Sequence, residues 1–387
     1  MRAMINRIIL LVLDGLGIGA LPDASHYGDA ECNTLASLCE ASGSVHLPNL
    51  ENLGLGHLGQ FQGVRPMVQP EGCFGLMGFV SKGKDSLIGH WEIAGCPIET
   101  VSGVSDEALP ALVALIEGAI GQKTLGNRKM SGANPVQDMS VQHKRSGVPI
   151  VWFDDVGTIH LAAHETIVPA EELYRMGRDV RRAARAAHPI VRVVAHPFDD
   201  RAGMLWSGSR RRDFATEPPA TTLLDLLSRA SQLVVGLGKI GDLFSGRGVT
   251  RSTTISEAGE ALDEIIGMLN RVPRGLIFAN LEVLVPSLED SVRALHEVDR
   301  RLPELQKRWK TGDLLIITAD HGFDMSRPTW GHSREYVPLL ITGPKLARGV
   351  NLGTRQTAAD LGQTIGEALG TSRLPSGDSF LDSLHAG

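Results

Sequence analysis

The sequence predicts an α/β protein whose core is a doubly wound, mostly parallel sheet, with an inserted α/β cap domain. From residue 220 onward, short β-branched and leucine-rich runs alternate with helical segments, as strands buried on both faces and their crossover helices do. Between residues 101 and 218 the pattern changes character, and Gly and Pro cluster at the edges of this stretch. We therefore expect a core formed by residues 1–100 and 219–387 and a cap formed by residues 101–218.

The composition is that of an ordinary globular protein, and it argues against several functions. Of the 387 residues, 42% are hydrophobic and 21% are charged, and this length allows one large core plus a second domain. The formal net charge of −6 argues against nucleic acid as a partner, because nucleic-acid-binding surfaces are basic. A membrane span is not expected, since no apolar run reaches the roughly 18 residues that a crossing needs.

The first strand and the cysteines bear on the compartment. Basic residues precede an apolar run, as in a signal peptide, but Asp14 ends this run without a small-residue cleavage site. We interpret Ile8–Leu13 as a buried core strand.

The cysteines show no CxxC spacing, which argues against a zinc ribbon or a disulfide framework. They are Cys32, Cys39, Cys73 and Cys96. The reducing cytoplasm is the expected compartment.

The stretch from Asp313 to Pro338 contains the strongest candidate site. The run Leu314–Thr318 is typical of a buried strand, and Asp320 and His321 follow where this strand would end. Ligands of open parallel sheets gather at the carboxyl ends of strands, so this carboxylate and imidazole are predicted to bind one divalent cation. His332 lies further along a loop with a proline and a glycine, and can return to the same place.

Asp14 is a second acidic residue at a predicted strand end. Gly15, Gly17 and Gly19 open a flexible turn after it, but they lack the GxGxxG frame of a dinucleotide loop. The alternative reading is that Asp14 caps a helix. A short helix, TLASLCEA, is also predicted, with Asn33 or Thr34 as its cap.

Ser86 is the candidate nucleophile. It follows Lys84 and Asp85 in a glycine-containing loop, and a hydroxyl beside a cation and a carboxylate suits a nucleophile held near a metal. Coordination to a divalent ion would help to remove the hydroxyl proton without a separate histidine base. The alternative is that Ser86 caps the helix that begins after it.

The predicted cap contains helices over 106–118 and 170–187 and strands over 150–153, 158–161 and 190–195. Asp154 and Asp155 end one of its strands. The basic run Arg210–Arg212 precedes Asp213 and can bind a phosphate through bidentate hydrogen bonds. A solvated surface is the alternative explanation of this run.

The core continues after the cap, and further elements are predicted there. Helix 221–230 and strand 232–238 come first, and Lys239 stands at the end of that strand. Strand Leu276–Leu281 ends at Glu282, helices Leu288–Arg301 and Leu305–Lys310 follow, and a helix over 357–369 closes the core.

Six segments spread over nearly the whole chain share the pattern of one known family. They are LVLDGLGIGALPDA, GKDSLIGHWEIAG, LAAHE, GKIGDLFSGRGVT, TADHG and HSREYVPLL. In these segments the chain resembles the phosphopentomutase family of the alkaline phosphatase superfamily. The resemblance implies an alkaline phosphatase-like core with a cap, and interconversion of ribose 1-phosphate and ribose 5-phosphate. It also implies two divalent cations, commonly manganese, and a metal-bound threonine that is phosphorylated during the cycle.

Carried over by resemblance, Asp14, Asp320 and His321 match the ligands of the metal that activates the nucleophile. Ser86 stands at the nucleophile position, where the mutases have threonine, and is implied to complete that ligand shell. His332 matches one ligand of the second metal.

The chain departs from the family at the rest of the second metal site. Mutases carry an aspartate and a histidine five residues apart after the strand that here ends at Leu281, whereas this chain has a shortened loop, EVLVPSLED. Glu282, Glu289 and Asp290 are the candidates to replace the two missing ligands. We therefore expect one tightly bound ion and slow turnover of ribose phosphate.

The cap departs from the family as well. Arg211 and Lys239 match substrate-contacting residues of the family, but His196 stands where the mutases have a phosphate-contacting arginine. Asp155 lies in the segment that replaces the family's sugar-contacting residues. The resemblance favours a phosphotransferase acting on a sugar phosphate. A phosphohydrolase on this scaffold and a catalytically impaired binding homologue remain the alternatives, and the oligomeric state is open.

Overall fold

The computed structural model describes residues 5–43, 45–100, 103–130, 135–154, 156–186, 190–200, 210–255, 257–285, 287–327 and 331–385. Asp155 lies outside the described residues. The chain divides into two compact units. The first comprises Met1–Glu99, Pro218–Gly241 and Gly246–Gly387, and the second comprises Thr100–Glu217 and Asp242–Ser245.

The strands of the described residues form two sheets. In chain order they are β1 (Arg7–Leu13), β2 (Cys73–Met77), β3 (Leu125–Lys129), β4 (Ile150–Phe153), β5 (Thr158–His164), β6 (Arg192–Phe198), β7 (Arg212–Ala215), β8 (Leu233–Leu237), β9 (Arg251–Thr253), β10 (Gly275–Leu281), β11 (Asp313–Thr318), β12 (Val337–Thr342) and β13 (Asn351–Arg355).

The α-helices of the described residues are α1 (Thr34–Ser42), α2 (Pro48–Leu53), α3 (Ser86–Ile93), α4 (Leu109–Ile120), α5 (Pro135–Ser146), α6 (Ala170–Ala183), α7 (Leu223–Arg229), α8 (Ile240–Leu243), α9 (Ala258–Met268), α10 (Leu288–Gln306) and α11 (Ala359–Ala368). None of these helices combines the length and the apolar character that a bilayer crossing requires.

The first unit contains a sheet with the strand order β13-β2-β12-β11-β1-β10-β8-β9. Strand β12 runs antiparallel to both of its neighbours, and the other adjacent pairs are parallel. Residues Ile8–Leu13 of β1 are fully buried, as expected for a central strand covered on both faces. The predicted α/β class with a mostly parallel sheet is confirmed.

The register of the central strands sets the position of the candidate site. Leu13 of β1 is paired with Leu281 of β10, and Val12 of β1 is paired with Thr318 of β11. The residues that follow these strands therefore lie side by side at one edge of the sheet. They are Asp14, Glu282 and Asp320.

The second unit contains a mixed sheet with the order β3-β4-β5-β6-β7. Its core includes Ile116 of α4 and Leu173 of α6, which pack with Leu161 and Val193 of the sheet. All four side chains are fully buried.

The predicted division of residues 288–310 into two helices is wrong, because α10 is a single helix that continues through Pro303 to Gln306. Proline has no N–H to donate to the carbonyl four residues earlier, which here belongs to Asp299. Asn49 Nδ2 donates to that carbonyl at 3.0 Å, so the acceptor is satisfied from outside the helix. This contact explains how the helix tolerates proline in its last turn.

Candidate metal centre and nucleophile

The structure brings together four of the residues proposed from the sequence. Ser86 Oγ lies 2.9 Å from His321 Nε2. The same Nε2 lies 3.5 Å from Asp14 Oδ1 and 3.3 Å from Asp320 Oδ2. All four residues are buried.

These spacings are those of atoms that share one cation. Ligands bound to a first-row divalent ion at roughly 2.0–2.2 Å are about 3.0–3.5 Å apart in octahedral or tetrahedral geometry. The three distances from His321 Nε2 run from 2.9 to 3.5 Å. Ligand atoms of Asp14, Asp320 and His321 also lie within 4.8 Å of one another, so this group could hold a metal ion, with Ser86 Oγ next to His321 Nε2.

His321 is oriented as a metal-binding histidine is. Its Nδ1 donates to the Gly322 carbonyl at 2.9 Å, so in the neutral ring the lone pair lies on Nε2. A hydrogen bond from the second ring nitrogen is the usual way in which a ligating imidazole is held in its tautomer. The Nε2 lone pair faces Ser86, Asp14 and Asp320.

One carboxylate oxygen of Asp320 has no hydrogen-bond partner in the part of the chain that the structure describes. The Oδ1 atom accepts from the Gly15 N–H at 3.2 Å, whereas Oδ2 is buried and has no such partner among these residues. Burial raises the pKa of Asp320, but the neighbouring imidazoles of His321 and His90 outweigh this, so the pKa lies well below its usual range. An ionised, buried carboxylate oxygen of this kind fits a cation ligand, because buried charges need a partner.

Helix α3 presents the nucleophile candidate. Asp85 is its N-cap and accepts from the Ile88 N–H at 3.0 Å, so the alternative reading of Ser86 as the cap is wrong. Ser86 is instead the first helical residue. A Cβ atom at Gly89 would lie 2.1 Å from the Asp320 carbonyl oxygen, so only glycine lets the helix approach the Asp320 backbone this closely.

Two buried residues that the sequence reasoning missed support the ligands. His90 Nδ1 donates to the Ser86 carbonyl at 2.7 Å and lies 3.3 Å from Asp320 Oδ2. Asn280, near the end of β10, donates from Nδ2 to Asp14 Oδ2 at 3.1 Å and lies 3.3 Å from His90 Nε2. The available signals were a histidine four residues after the serine on one helix face and a polar residue in an apolar strand.

Arg334 holds the loop that leads to Ser86. Its guanidinium donates to the carbonyl groups of Phe79, Ser81 and Gly83, each at 2.8 Å. It also forms an ion pair with Asp23 at 3.0 Å. Arg334 thus joins the HSREY segment to the nucleophile loop, a contact that sequence spacing cannot reveal.

Lys239 reaches the same edge of the sheet. Its Nζ lies 2.9 Å from Asp14 Oδ2 and 2.7 Å from Glu282 Oε1. The ammonium group therefore connects the residues that follow β1 and β10.

The proposed second-site residues do not form one ligand cluster among the described residues. The His332 ring centroid lies 3.9 Å from that of His321, with the rings tilted by 32°. Glu289 and Asp290 lie in the first turn of α10, and the Asp290 carboxylate pairs with Arg293. Glu282 pairs with Lys239.

A second group of potential ligands, Cys32, Asp324 and Glu335, serves structural contacts. The carboxylate of Glu335 accepts from the Thr34 hydroxyl at 2.7 Å and from the Gly19 N–H at 3.1 Å. Asp324 Oδ2 accepts from the Asn33 N–H at 2.8 Å. These bonds tie the helix α1 entrance to the 322–335 segment.

In the second unit, Arg211 forms an ion pair with Asp213, with 3.2 Å between Nη2 and Oδ1.

Three titratable residues of the same unit form a chain. His160 Nε2 lies 3.3 Å from Asp154 Oδ2, and His160 Nδ1 lies 3.0 Å from His196 Nε2. Burial lowers the pKa of His196 well below its usual value, and His160 and Arg211 lower it further. His196 is therefore neutral at pH 7, unlike an arginine.

Known proteins resemble this chain over nearly its whole length. A phosphopentomutase of Desulfitobacterium hafniense is 40% identical over 387 residues, which cover 98% of this chain and 100% of the relative. A phosphopentomutase of Alkaliphilus metalliredigens is 38% identical, with 97% and 98% covered. This chain belongs to the phosphopentomutase family. The family resemblance expected from the sequence is thereby confirmed, and so is the expectation of an enzyme of the isomerase and phosphotransferase type.

Other comparisons concern metal dependence and structure. Residues 286–373 match the family model described as Metalloenzyme superfamily, which together with the ligand group of Asp14, Asp320 and His321 indicates a divalent-metal enzyme. A Leishmania mexicana phosphoglycerate mutase is similar with a TM-score of 0.49 at 12% identity, covering 98% of both chains. The PH0037 protein of Pyrococcus horikoshii gives a TM-score of 0.48 at 15% identity, covering 95% and 98%.

Proposed function

We propose that this member of the phosphopentomutase family is a metal-dependent phosphotransferase that acts on a sugar phosphate through a phosphorylated Ser86. The observation that carries the proposal is the 2.9 Å contact between Ser86 Oγ and His321 Nε2. Carboxylate oxygens of Asp14 and Asp320 lie within 3.5 Å of the same Nε2 atom. The phosphopentomutase relatives support a pentose phosphate as the substrate.

Asp14, Ser86, Asp320 and His321 would hold the ion. Carboxylate and hydroxyl oxygens suit hard divalent cations, and the family resemblance implies Mn²⁺ among them. A divalent ion bound there supplies Lewis acidity, which lowers the pKa of the serine hydroxyl. Asn280 and His90 keep the ligand side chains in place through their hydrogen bonds. Outer contacts of this kind typically change metal affinity by about 10–100-fold.

The chemistry is an exchange of one O–P bond for another. Ser86 Oγ attacks a phosphorus of a sugar bisphosphate, and the bond from that phosphorus to the sugar oxygen breaks. The serine proton passes to solvent, and the sugar oxygen takes a proton from solvent. In the second transfer, the free hydroxyl oxygen of a sugar monophosphate attacks the phosphoserine phosphorus, the Ser86 Oγ–P bond breaks, and Ser86 regains a proton. Arg211, Lys239 and Asp155 are proposed to contact the substrate.

We also propose that the protein works in the reducing cytoplasm. Its four cysteines are buried and unpaired. Burial raises the pKa of Cys32, Cys39 and Cys73 to about 11, so these thiols are protonated and unreactive at neutral pH.

Intact-mass measurement tests the nucleophile. After incubation with ribose 1,5-bisphosphate and Mn²⁺, we expect the wild-type protein to gain the mass of one phosphoryl group, and Ser86→Ala to gain none. Ser372→Ala, at an exposed serine, is the matched control and should behave as wild type. An unchanged phosphoprotein peak in Ser86→Ala would place the phosphoryl group on another residue.

A further inference from the structure

The Lys239 ammonium group lies beside Asp14, a proposed metal ligand, and is held by carboxylates that follow two strands. Its Nζ is 2.9 Å from Asp14 Oδ2 and 2.7 Å from Glu282 Oε1. The Lys239 side chain is only 15% exposed, so little solvent screens its charge. The two carboxylates restrict the position of this charge to one place.

Asp14 links this ammonium group to the candidate metal centre. Its Oδ1 faces His321 Nε2 at 3.5 Å, whereas its Oδ2 faces Lys239 Nζ at 2.9 Å. A carboxylate placed between two cations in this way corresponds to a two-metal site, where the ions are roughly 3.5–4 Å apart and stabilise the attacking and the leaving oxygen. Here the group on the second side is a lysine.

The described residues offer this edge of the sheet no second ligand group. Asp14, Asp320 and His321 form one possible metal-binding group. In the other, Cys32 with Asp324 and Glu335, both carboxylates accept structural hydrogen bonds. Glu282, the acidic residue next to Asp14 in the register, pairs with Lys239.

From this geometry we infer that the active centre holds one divalent ion and that Lys239 supplies the second positive charge. This inference rests on the proposed function. The ammonium group stabilises the negative charge that develops on the phosphoryl oxygens as the bond to Ser86 Oγ forms and the bond to the sugar oxygen breaks. Glu282 positions the ammonium group. No bond to Lys239 is made or broken.

Two measurements on the full-length protein test the inference. Elemental analysis after desalting from Mn²⁺ counts the bound ions, and quenched-flow intact-mass analysis gives the rate of Ser86 phosphorylation by ribose 1,5-bisphosphate. We expect one ion per chain in wild type and in Lys239→Ala, and a rate about 10²–10³-fold lower in the variant. Lys239→Gln keeps a long side chain without the charge and should lose as much rate while retaining its ion.

Chemical rescue separates lost charge from lost packing. Added ethylammonium should restore part of the Lys239→Ala rate in proportion to its concentration, whereas tetramethylammonium, which has no N–H to donate, should restore none. Lys123→Ala removes an exposed ammonium group that pairs with Glu117 and is the matched control, with an expected rate equal to wild type.

Either of two results would overturn the inference and leave the proposed function standing. One is two ions per chain in the wild-type protein. The other is a Lys239→Ala rate within about threefold of wild type, which corresponds to a barrier difference of under roughly 0.7 kcal/mol. Absence of Ser86 phosphorylation in the wild-type protein would overturn the proposed function itself, and the inference with it.

Discussion

Ser86 Oγ and His321 Nε2 lie 2.9 Å apart, although 235 positions separate them in the sequence. The contact joins the first turn of α3 to the residue that follows β11 by three positions. His321 can accept from the serine only because its Nδ1 proton is engaged by the Gly322 carbonyl. The pair thus places a hydroxyl and an imidazole lone pair at one point, beside two carboxylates.

Replacing His321 tests whether this point binds metal. His321→Gln leaves two carboxylates but removes the imidazole, so we expect Mn²⁺ affinity to fall by about 100-fold, which is roughly 2.7 kcal/mol. Equilibrium dialysis followed by elemental analysis gives the dissociation constant. His46→Gln, at a side chain that is 61% exposed, is the control and should bind as wild type does. Equal affinity in His321→Gln and wild type would remove His321 from the ligand set.

Gly89→Ala tests the close approach of α3 to Asp320. The added Cβ would lie 2.1 Å from the Asp320 carbonyl oxygen, so the helix or the ligand must shift. We expect a loss of about 1–3 kcal/mol in the free energy of unfolding, by thermal or urea denaturation, together with weaker Mn²⁺ binding.

Gly118→Ala is the matched control for that substitution. Gly118 lies inside α4 and a Cβ there would meet no atom within 4 Å, so alanine should be neutral or stabilise the helix by up to about 1 kcal/mol. If Gly89→Ala behaved like Gly118→Ala, the close packing between α3 and Asp320 would be wrong.

The positions of the first ligands could be read from the sequence because their strands are continuous apolar runs. Apart from Thr318, every residue of the runs Ile8–Leu13 and Leu314–Thr318 is apolar. The observed strands β1 and β11 include these runs. A polar residue directly after such a run lies at the sheet edge where ligands gather. Asp14 and Asp320 were therefore predictable as candidate ligands at the carboxyl ends of their strands, whereas their adjacency comes from the pairing of β1 with β11.

The register between strands was not predictable, and the pairing of Glu282 depends on it. Leu13 lies opposite Leu281, which puts Glu282 beside Asp14 and within reach of Lys239. From the sequence, Glu282 was only a candidate replacement for a missing metal ligand. The actual partner, Lys239, follows β8, and periodicity does not determine which strands are adjacent.

Other elements escaped prediction because their local signals are weak or contrary. Strand β12 contains Pro338, a residue that usually argues against a strand inside a sheet. Strand β13 is largely exposed, and so lacks an apolar run. The predicted gap between two helices at residues 302–304 contains Pro303, but Asn49, about 250 residues away in sequence, satisfies the carbonyl that proline leaves without a donor.

The stability of the protein should fall in mild acid, in part because of His196. Its pKa is lowered well below 6.5 by burial, then by His160 and Arg211, so the folded state resists protonation. The unfolded chain takes up that proton near pH 6.5. Above this pH His196 is neutral in both states, and stability does not depend on its protonation. Below about pH 6.5 the unfolded chain binds a proton that the folded chain does not, so the free energy of unfolding falls as the pH falls toward the folded pKa.

Urea denaturation of the wild type and His196→Asn between pH 5 and pH 8 checks this sign. The wild-type free energy of unfolding should decrease from about pH 6.5 downward, and the decrease should be smaller in His196→Asn. His46→Asn, at an exposed histidine, should keep the wild-type slope. A slope that His196→Asn leaves unchanged would mean that His196 is protonated in the folded state.

The central claim is that this chain transfers a phosphoryl group on a sugar phosphate by way of Ser86, with one ion and one ammonium group. The most direct measurement follows ribose 1-phosphate with Mn²⁺ and a trace of ribose 1,5-bisphosphate, by ion chromatography of quenched samples. We predict that ribose 5-phosphate forms without inorganic phosphate, orders of magnitude more slowly than the roughly 10 per second typical of enzymes, and not at all with Ser86→Ala. Release of inorganic phosphate as the main product, or equal conversion by Ser86→Ala, would contradict the account.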